Sequence, residues 1–189
     1  MKSIAFIARP PAMTQREFVT YYETTHAPLA SRLLGFERYR RNHVLSGDLL
    51  GFASLPEFWS DGVTVAQAMA GAAGDELRED ELRFMDKPRN RAALAEPSTT
   101  GSAQGEQSAI LMSGAGDREA LAQVFREAEG QLDWLEPFDA RPLPCTAIGF
   151  VPAAHRLKLP SGWELLGRGE VLRIEGGGGP PGPQVTAKF

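Results

Sequence analysis

A strand-length apolar run followed by a capped helix occurs twice in this chain, at matching places in two halves. Lys2–Arg9 precedes a helix that starts at Thr14. Gln107–Ser113 precedes a helix that starts at Asp117. A weak internal repeat of this kind expects one supersecondary unit to be used twice. In the first run Ile4 and Phe6 alternate with Ala5 and Ile7, so both faces of the strand are apolar and both expect cover. Pro10 and Pro11 end it, because neither can donate to a ladder.

The first half continues legibly. Thr14 and Glu17 have capping-box spacing, and Phe18, Tyr21, Tyr22 and Thr25 follow at helical spacing. Pro28 closely follows His26 and predicts a break or a second short helix through Leu29, Leu33 and Leu34, ending at Gly35. Phe36–Leu45 and Leu50–Trp59 read as a hairpin across Ser46-Gly47-Asp48. Thr64 to about Asp86 is helical, with an interruption at Gly71 and Gly74. Arg91–Ala95 reads as a short strand. The order is βαββαβ, the ferredoxin-like or split βαβ order.

Glu96–Glu106 has linker composition. Beyond it the repeat degrades. The helix from Asp117 carries Leu121, Val124, Phe125, Ala128 and Leu132 at helical spacing, and strands are expected at Cys145–Val151 and Val171–Ile174, with Trp163–Leu166 joining them. No second long helix is visible. The expected organisation is a unit at 1–95, a linker at 96–106, a degenerate second half at 107–175, and a Gly/Pro-rich mobile tail at 176–189.

Composition excludes several function classes. At 189 residues with 42% hydrophobic and 23% charged residues, the chain has material for a packed core. A net charge of −4 and a pI near 5.5 give no field for nucleic acid or an anionic membrane. No apolar run approaches the roughly 18 residues a bilayer span needs. The lone cysteine, Cys145, permits no internal disulfide and points to a reducing, cytoplasmic compartment. No His or Cys pair has metal-ligand spacing, and no phosphate loop or nucleophile elbow is complete.

Several short motifs occur together in the first half. They are Arg9-Pro10 after the first strand, the Thr-x-x-Glu-Phe helix start, Tyr21-Tyr22 before His26-Ala27-Pro28, Gly35 leading to Tyr39-x-x-Asn42, and Glu57-Phe58-Trp59. Over residues 1–95 the chain resembles the EthD family of the dimeric α/β-barrel superfamily. The resemblance implies an α+β architecture in which a ferredoxin-like sheet pairs with a second sheet to close a barrel. Here the degenerate second half takes the partner's place as a one-chain pseudo-dimer, with further homodimerisation left open. The physics agrees, since helices on one side of a four-stranded sheet leave its other face bare. The second half departs from the pattern: Glu129-Gly130 stands near the place of His26, and the Tyr-x-x-Asn strand has no visible counterpart.

The candidate chemistry centres on His26, a possible general acid or base whose plain alternative is a histidine capping a backbone carbonyl. Tyr39 and Glu57 complete the candidate catalytic set. Tyr22, Asn42, His43, Trp59 and Arg9 are the candidate substrate contacts. Parity puts Tyr39 and His43 on one face of their strand and Asn42 on the other, and either face can line the pocket. Glu57 is either a base with a raised pKa or the partner of Arg9, Arg38 or Arg40. The functional expectation is a cofactor-independent enzyme of cyclase, dehydratase, decarboxylase or monooxygenase type. It would use His-assisted proton transfer on a small apolar, aromatic or polyketide-like substrate. The alternative is a non-catalytic protein that binds a hydrophobic ligand or haem.

Overall fold

The computed structural model describes residues 1–101 and 106–176. The first half supplies β1 (Lys2–Phe6), α1 (Gln15–Tyr21), a π-helical segment (Tyr22–His26), α2 (Ala27–Leu34), β2 (Arg38–Asp48), β3 (Glu57–Trp59), α3 (Gly62–Ala70), α4 (Ala72–Glu81) and β4 (Arg91–Thr99). The second supplies β5 (Glu106–Gly114), α5 (Arg118–Glu127), β6 (Gln131–Pro137), β7 (Ala147–Pro152) and β8 (Trp163–Gly176). The strands close into a barrel in the order β1-β3-β2-β8-β5-β7-β6-β4, with β4 back against β1. Each half contributes its strands in the same order, 4-1-3-2 and 8-5-7-6. The halves join at β2 with β8 and at β4 with β6. The architecture is α+β, a dimeric-α/β-barrel type made by one chain.

Local sequence explains the elements that position the site. The Thr14 side chain accepts from the Glu17 amide, and the Glu17 carboxylate accepts from the Thr14 amide at 2.8 Å. This reciprocal cap fixes where α1 begins. Pro28 does not break the helix that follows. The chain widens into a π turn in which the Ala27 amide donates to Tyr22 O, five residues back, and α2 then starts with Pro28 in its first turn. The wider turn accommodates the proline, which has no amide to donate and whose ring would clash with the carbonyl four residues back in a regular α-helix. Gly35 ends α2 at φ 56°, a left-handed conformation that favours glycine.

Several elements differ from the sequence reading. Gly71 divides the second helical stretch into α3 and α4. The expected strand Leu50–Trp59 shrinks to β3, preceded by single bridges from Ser54 to Ile7 and His43. Strand β4 runs on to Thr99, into the expected linker, because β6 offers it a pairing edge. Pro97 sits where that register shifts. Leu132 belongs to β6, not to α5. It still packs beneath α5 in the same apolar cluster as Leu121 and Phe125, which is why it matches the helical spacing. The helix stops because Glu129 turns to φ 51° and Gly130 follows. Strand β8 joins the two expected segments into one. Residues 102–105 of the expected linker and 177–189 of the expected tail lie outside the described residues.

Three apolar clusters hold the fold. Ile4, Phe6, Leu55, Leu111, Ile148 and Phe150 are among those filling the bore. Phe18, Tyr22, Tyr39, Leu77 and Phe84 pack between the first half's sheet and its helices. Ile110, Leu121, Phe125 and Trp134 pack under α5. Each fully buried side chain of this size contributes about 1.5–3 kcal/mol. Gly149 makes the α5 contact possible, since a Cβ there would lie 2.1 Å from the Phe125 ring.

Candidate functional site

The alternation of β2 decides which candidate residues meet. Arg40 pairs with Glu57 and Asn42 with Arg173 across the ladders, and these side chains point into the bore. Tyr39, Arg41 and His43 therefore point outward, beneath the helices. The sheet separates the sequence candidates into two groups. His26, Tyr22, Tyr39 and His43 lie together on the helix side. Glu57 and Asn42 lie in the bore, and Trp59 lies at its mouth.

On the helix side, burial and hydrogen bonding create a network of titratable groups. His26 is 5% exposed, and its Nδ1 lies 2.8 Å from Asp80 Oδ2. The Tyr21 hydroxyl donates to Asp80 Oδ1 at 2.7 Å. One carboxylate on α4 thus holds both ends of the π segment. The Tyr22 and Tyr39 hydroxyls meet at 2.6 Å. His43 Nε2 lies 2.7 Å from Glu23 Oε1, and Arg41 forks onto the same carboxylate at 2.9 and 3.1 Å. His43 Nδ1 is buried with no partner among the described residues.

The physical causes of the pKa shifts separate these groups. Burial pushes His26 below the ordinary 6.5, opposed by Asp80, so the neutral ring is favoured. Burial pushes Tyr22 well above the phenol range and takes Tyr39 beyond it too. Burial would raise Glu23, but hydrogen bonds from His43 and Arg41 outweigh it and hold the carboxyl at about 2.

Of the two roles expected for Glu57, its surroundings give it the ion pair with Arg40 and not a raised pKa. It sits in the bore at 0% exposure, 2.8 Å from Lys2 Nζ and 3.3 Å from Arg40, with amide donors at 3.0 Å from Asn42 and 2.7 Å from Gln131. Burial would raise its pKa, but the charges of Lys2, Arg173 and Arg40 win and hold it at about 2. A carboxylate so stabilised is a poor base. Asn42 donates to Leu55 O and accepts from Arg173 at 2.8 Å, so its polar groups are engaged. Trp59 stacks against Lys2, Arg38 and Arg40. Arg9 donates to the carbonyls of Met13 and Pro10 and braces the loop before α1.

An open groove of about 820 Å³ runs along α1, lined by residues including Pro10, Met13, Thr20, Tyr21, Thr24 and Arg83. Tyr21 is in this wall and on Asp80 at once. The sequence reading missed Tyr21, Glu23 and Asp80 as site residues. Tyr21 was legible as part of the Tyr-Tyr pair. Asp80 had no signal, because it stands in the acidic run Asp75–Glu81 that reads as a solvated face. Cys145 is buried, and burial pushes its thiol up to about 12, so it is inert. Among the described residues no cluster of three or more His, Cys, Asp or Glu is arranged to hold a metal ion, and no helix is long and apolar enough to cross a membrane.

Residues 10–88 match the family model of the EthD domain. A structure from Lactobacillus acidophilus, described as a candidate monooxygenase, is similar over 94% of this chain and 96% of its own, with 11% identity and a TM-score of 0.54. An anthrone oxidase-like protein is similar over 99% and 95%, with 11% identity and a TM-score of 0.55. An EthD family protein from Bacillus halodurans is 26% identical over 46% of this chain and 87% of its own, with a TM-score of 0.37. No curated protein matches the chain. The first two likenesses give the described chain the fold of these barrels, and the match to the EthD domain model lies within the first half.

Proposed function

Starting from an EthD-like first half built into a one-chain barrel, we propose that this protein is a cofactor-independent enzyme that moves a proton on a small, apolar, aromatic substrate. One observation carries this reading: Asp80 bridges Tyr21 in the groove wall and His26 behind it. When the His26 Nδ1–H donates to Asp80, Nε2 keeps its lone pair, and burial favours the neutral ring. That is a base held in one tautomer by a carboxylate, the logic that orients histidine in catalytic triads. Asp80 stabilises the imidazolium that forms. Tyr21 is the positioning residue, because it ties the same carboxylate to the groove. Tyr22 and Tyr39 stiffen the floor beneath His26.

The reaction class that suits this arrangement is abstraction of an acidic C–H proton beside a carbonyl. The C–H electron pair moves onto the carbonyl oxygen as an enolate, and the proton goes to His26 Nε2. Anthrone-type ketones have this chemistry, and the name of one similar structure makes them the first substrates to try. Hydrogen–deuterium exchange of anthrone in D2O, followed by NMR without oxygen, tests the step directly. We expect exchange above background, lowered about 10²–10⁴-fold in His26→Gln, the range typical of general acid–base catalysis. Absence of exchange across a panel of acidic ketones, with those molecules still bound, would overturn it in favour of a non-catalytic binding protein.

A further inference from the structure

The bore contains a second polar cluster, on the opposite face of β2 from the candidate active site and independent of it. Lys2, Arg40, Glu57, Gln131, Asp133 and Arg173 meet at one end of the barrel, where the apolar filling stops. Donors outnumber acceptors there. Glu57 has about four lone-pair sites. Lys2, Arg40, Asn42 and Gln131 already take them. Arg173 is left 3.6 Å from Glu57 Oε1, beyond hydrogen-bond distance. Its Nε is satisfied by Asn42 at 2.8 Å, and its face lies 4.5 Å over the Phe150 ring. Its Nη2 is buried without a partner among the described residues, on a side chain 1% exposed. Asp133 does not relieve the shortage, since it is occupied by Lys2 and Gln131.

Charge points the same way. Counting the rim, Lys2, Arg38, Arg40 and Arg173 face Glu57, Asp133 and Glu175, four cations against three carboxylates. Burial and the charge of Arg40 bring the Arg173 guanidinium down to about 10, only partly offset by Glu57. A buried guanidinium N–H without an acceptor is costly, because the full desolvation of a charged donor goes uncompensated. An acceptor with negative charge answers both the missing hydrogen bond and the excess charge.

We infer that the polar end of the barrel bore is a binding site for a small monoanion, of halide or carboxylate chemistry, held by Arg173 Nη2. Bromide and formate are the probes. Crystals of the full chain soaked in sodium bromide should show an anomalous peak within roughly 4 Å of Arg173 Nη2, at charge-assisted contact distance. In solution, sodium formate or bromide at constant ionic strength, balanced with a bulky sulfonate, should raise Tm saturably. At a hundredfold excess over Kd the rise should be about 5–10 °C for a chain of this size. Arg173→Met should abolish the saturable rise, and Arg173→Lys should weaken it. If Arg173→Met fails to fold, the bromide peak in the native protein still decides. No peak at Arg173 together with a Tm indifferent to the anion would overturn the inference. So would a peak confined to exposed Arg38, or an equal Tm response in Arg173→Met.

Discussion

The two halves of the barrel have the same strand order and different covers. The first half's outer face lies under α1, the π segment, α2 and α4, and it buries His26, His43, Tyr22, Tyr39 and Asp80. The second half's outer face lies under α5, helped by Leu157, Leu159 and Trp163, and its cluster is apolar throughout. Where the first half has a π turn carrying His26, the second has Ala128-Glu129-Gly130 leading directly into β6. The helix that would supply a counterpart to Asp80 is replaced by the segment between β7 and β8. Strand order therefore survives loss of the helices, because ladder hydrogen bonds and the shared bore set it. The site does not survive, because its two key groups come from helices on opposite sides of the hairpin.

The sharpest way to break this comparison is catalytic. His26→Gln should lower turnover about 10²–10⁴-fold, whereas Glu129→Gln, at the equivalent corner, should leave it unchanged. An equal effect of both, measured as kcat/KM on an exchanging ketone, would show that the halves share function after all.

Stability comes next. Glu57→Leu removes the anion that Lys2, Arg40 and Arg173 surround and should cost about 3–5 kcal/mol in urea unfolding, as for other broken buried pairs. Phe125→Ala should cost a similar ~3–5 kcal/mol on the other side. The first loss is electrostatic and the second is not, so Glu57→Gln, which keeps the shape and removes the charge, should reproduce most of the first loss, and salt should rescue neither because both sites are buried.

Acid should separate the halves. Glu23 and Glu57 have folded pKa values of about 2 against an ordinary 4.5. Their stabilisation is fully present above about 4.5 and is lost as pH falls through about 2. His26 is depressed too, so its contribution is present above 6.5 and lost as pH falls through its lower folded value. All three groups belong to the first half. Amide exchange should therefore show α1 and α4 opening before α5 as pH drops, and kcat/KM should rise with pH through a value below 6.5. Simultaneous opening would contradict this assignment.

The smallest effect concerns the caps. Thr14→Ala and Asp117→Ala should each cost about 1 kcal/mol. Only Thr14→Ala should also reduce turnover, because α1 carries Tyr21. Denaturant midpoints and steady-state rates check this together.

Much of the fold was legible in the sequence. The apolar double-sided run at Ile4–Ala8, the caps at Thr14 and Asp117 and the glycine at Gly35 act locally, so their residues announce them. The turn expected at Ser46-Gly47-Asp48 is instead the end of β2, where β8 pairs with it, and the chain turns at Leu49–Phe52, with Leu50 and Gly51 at positive φ. Strand β6 was hidden, because Leu132 satisfies helical spacing while standing in a strand beneath that helix. The candidate site was half legible. His26, Tyr22 and Tyr39 stand in recognisable motifs, but Asp80 is one acid among many until α4 is docked.

The sequence alone determined where β1, α1, α5 and β5 form, and that a strand followed by a capped helix recurs in the second half. Those outcomes rest on hydrogen-bond capacity and side-chain period within a few residues. Only the tertiary structure decided that Glu57 and His26 serve different places. They are separated by the thickness of one sheet, and a single residue of parity on β2 and β3 settles the side. It also decided their charge states, because burial and the cations of distant strands set these. Lys2 and Arg173 reach Glu57 from opposite ends of the described chain, and no local pattern records that meeting.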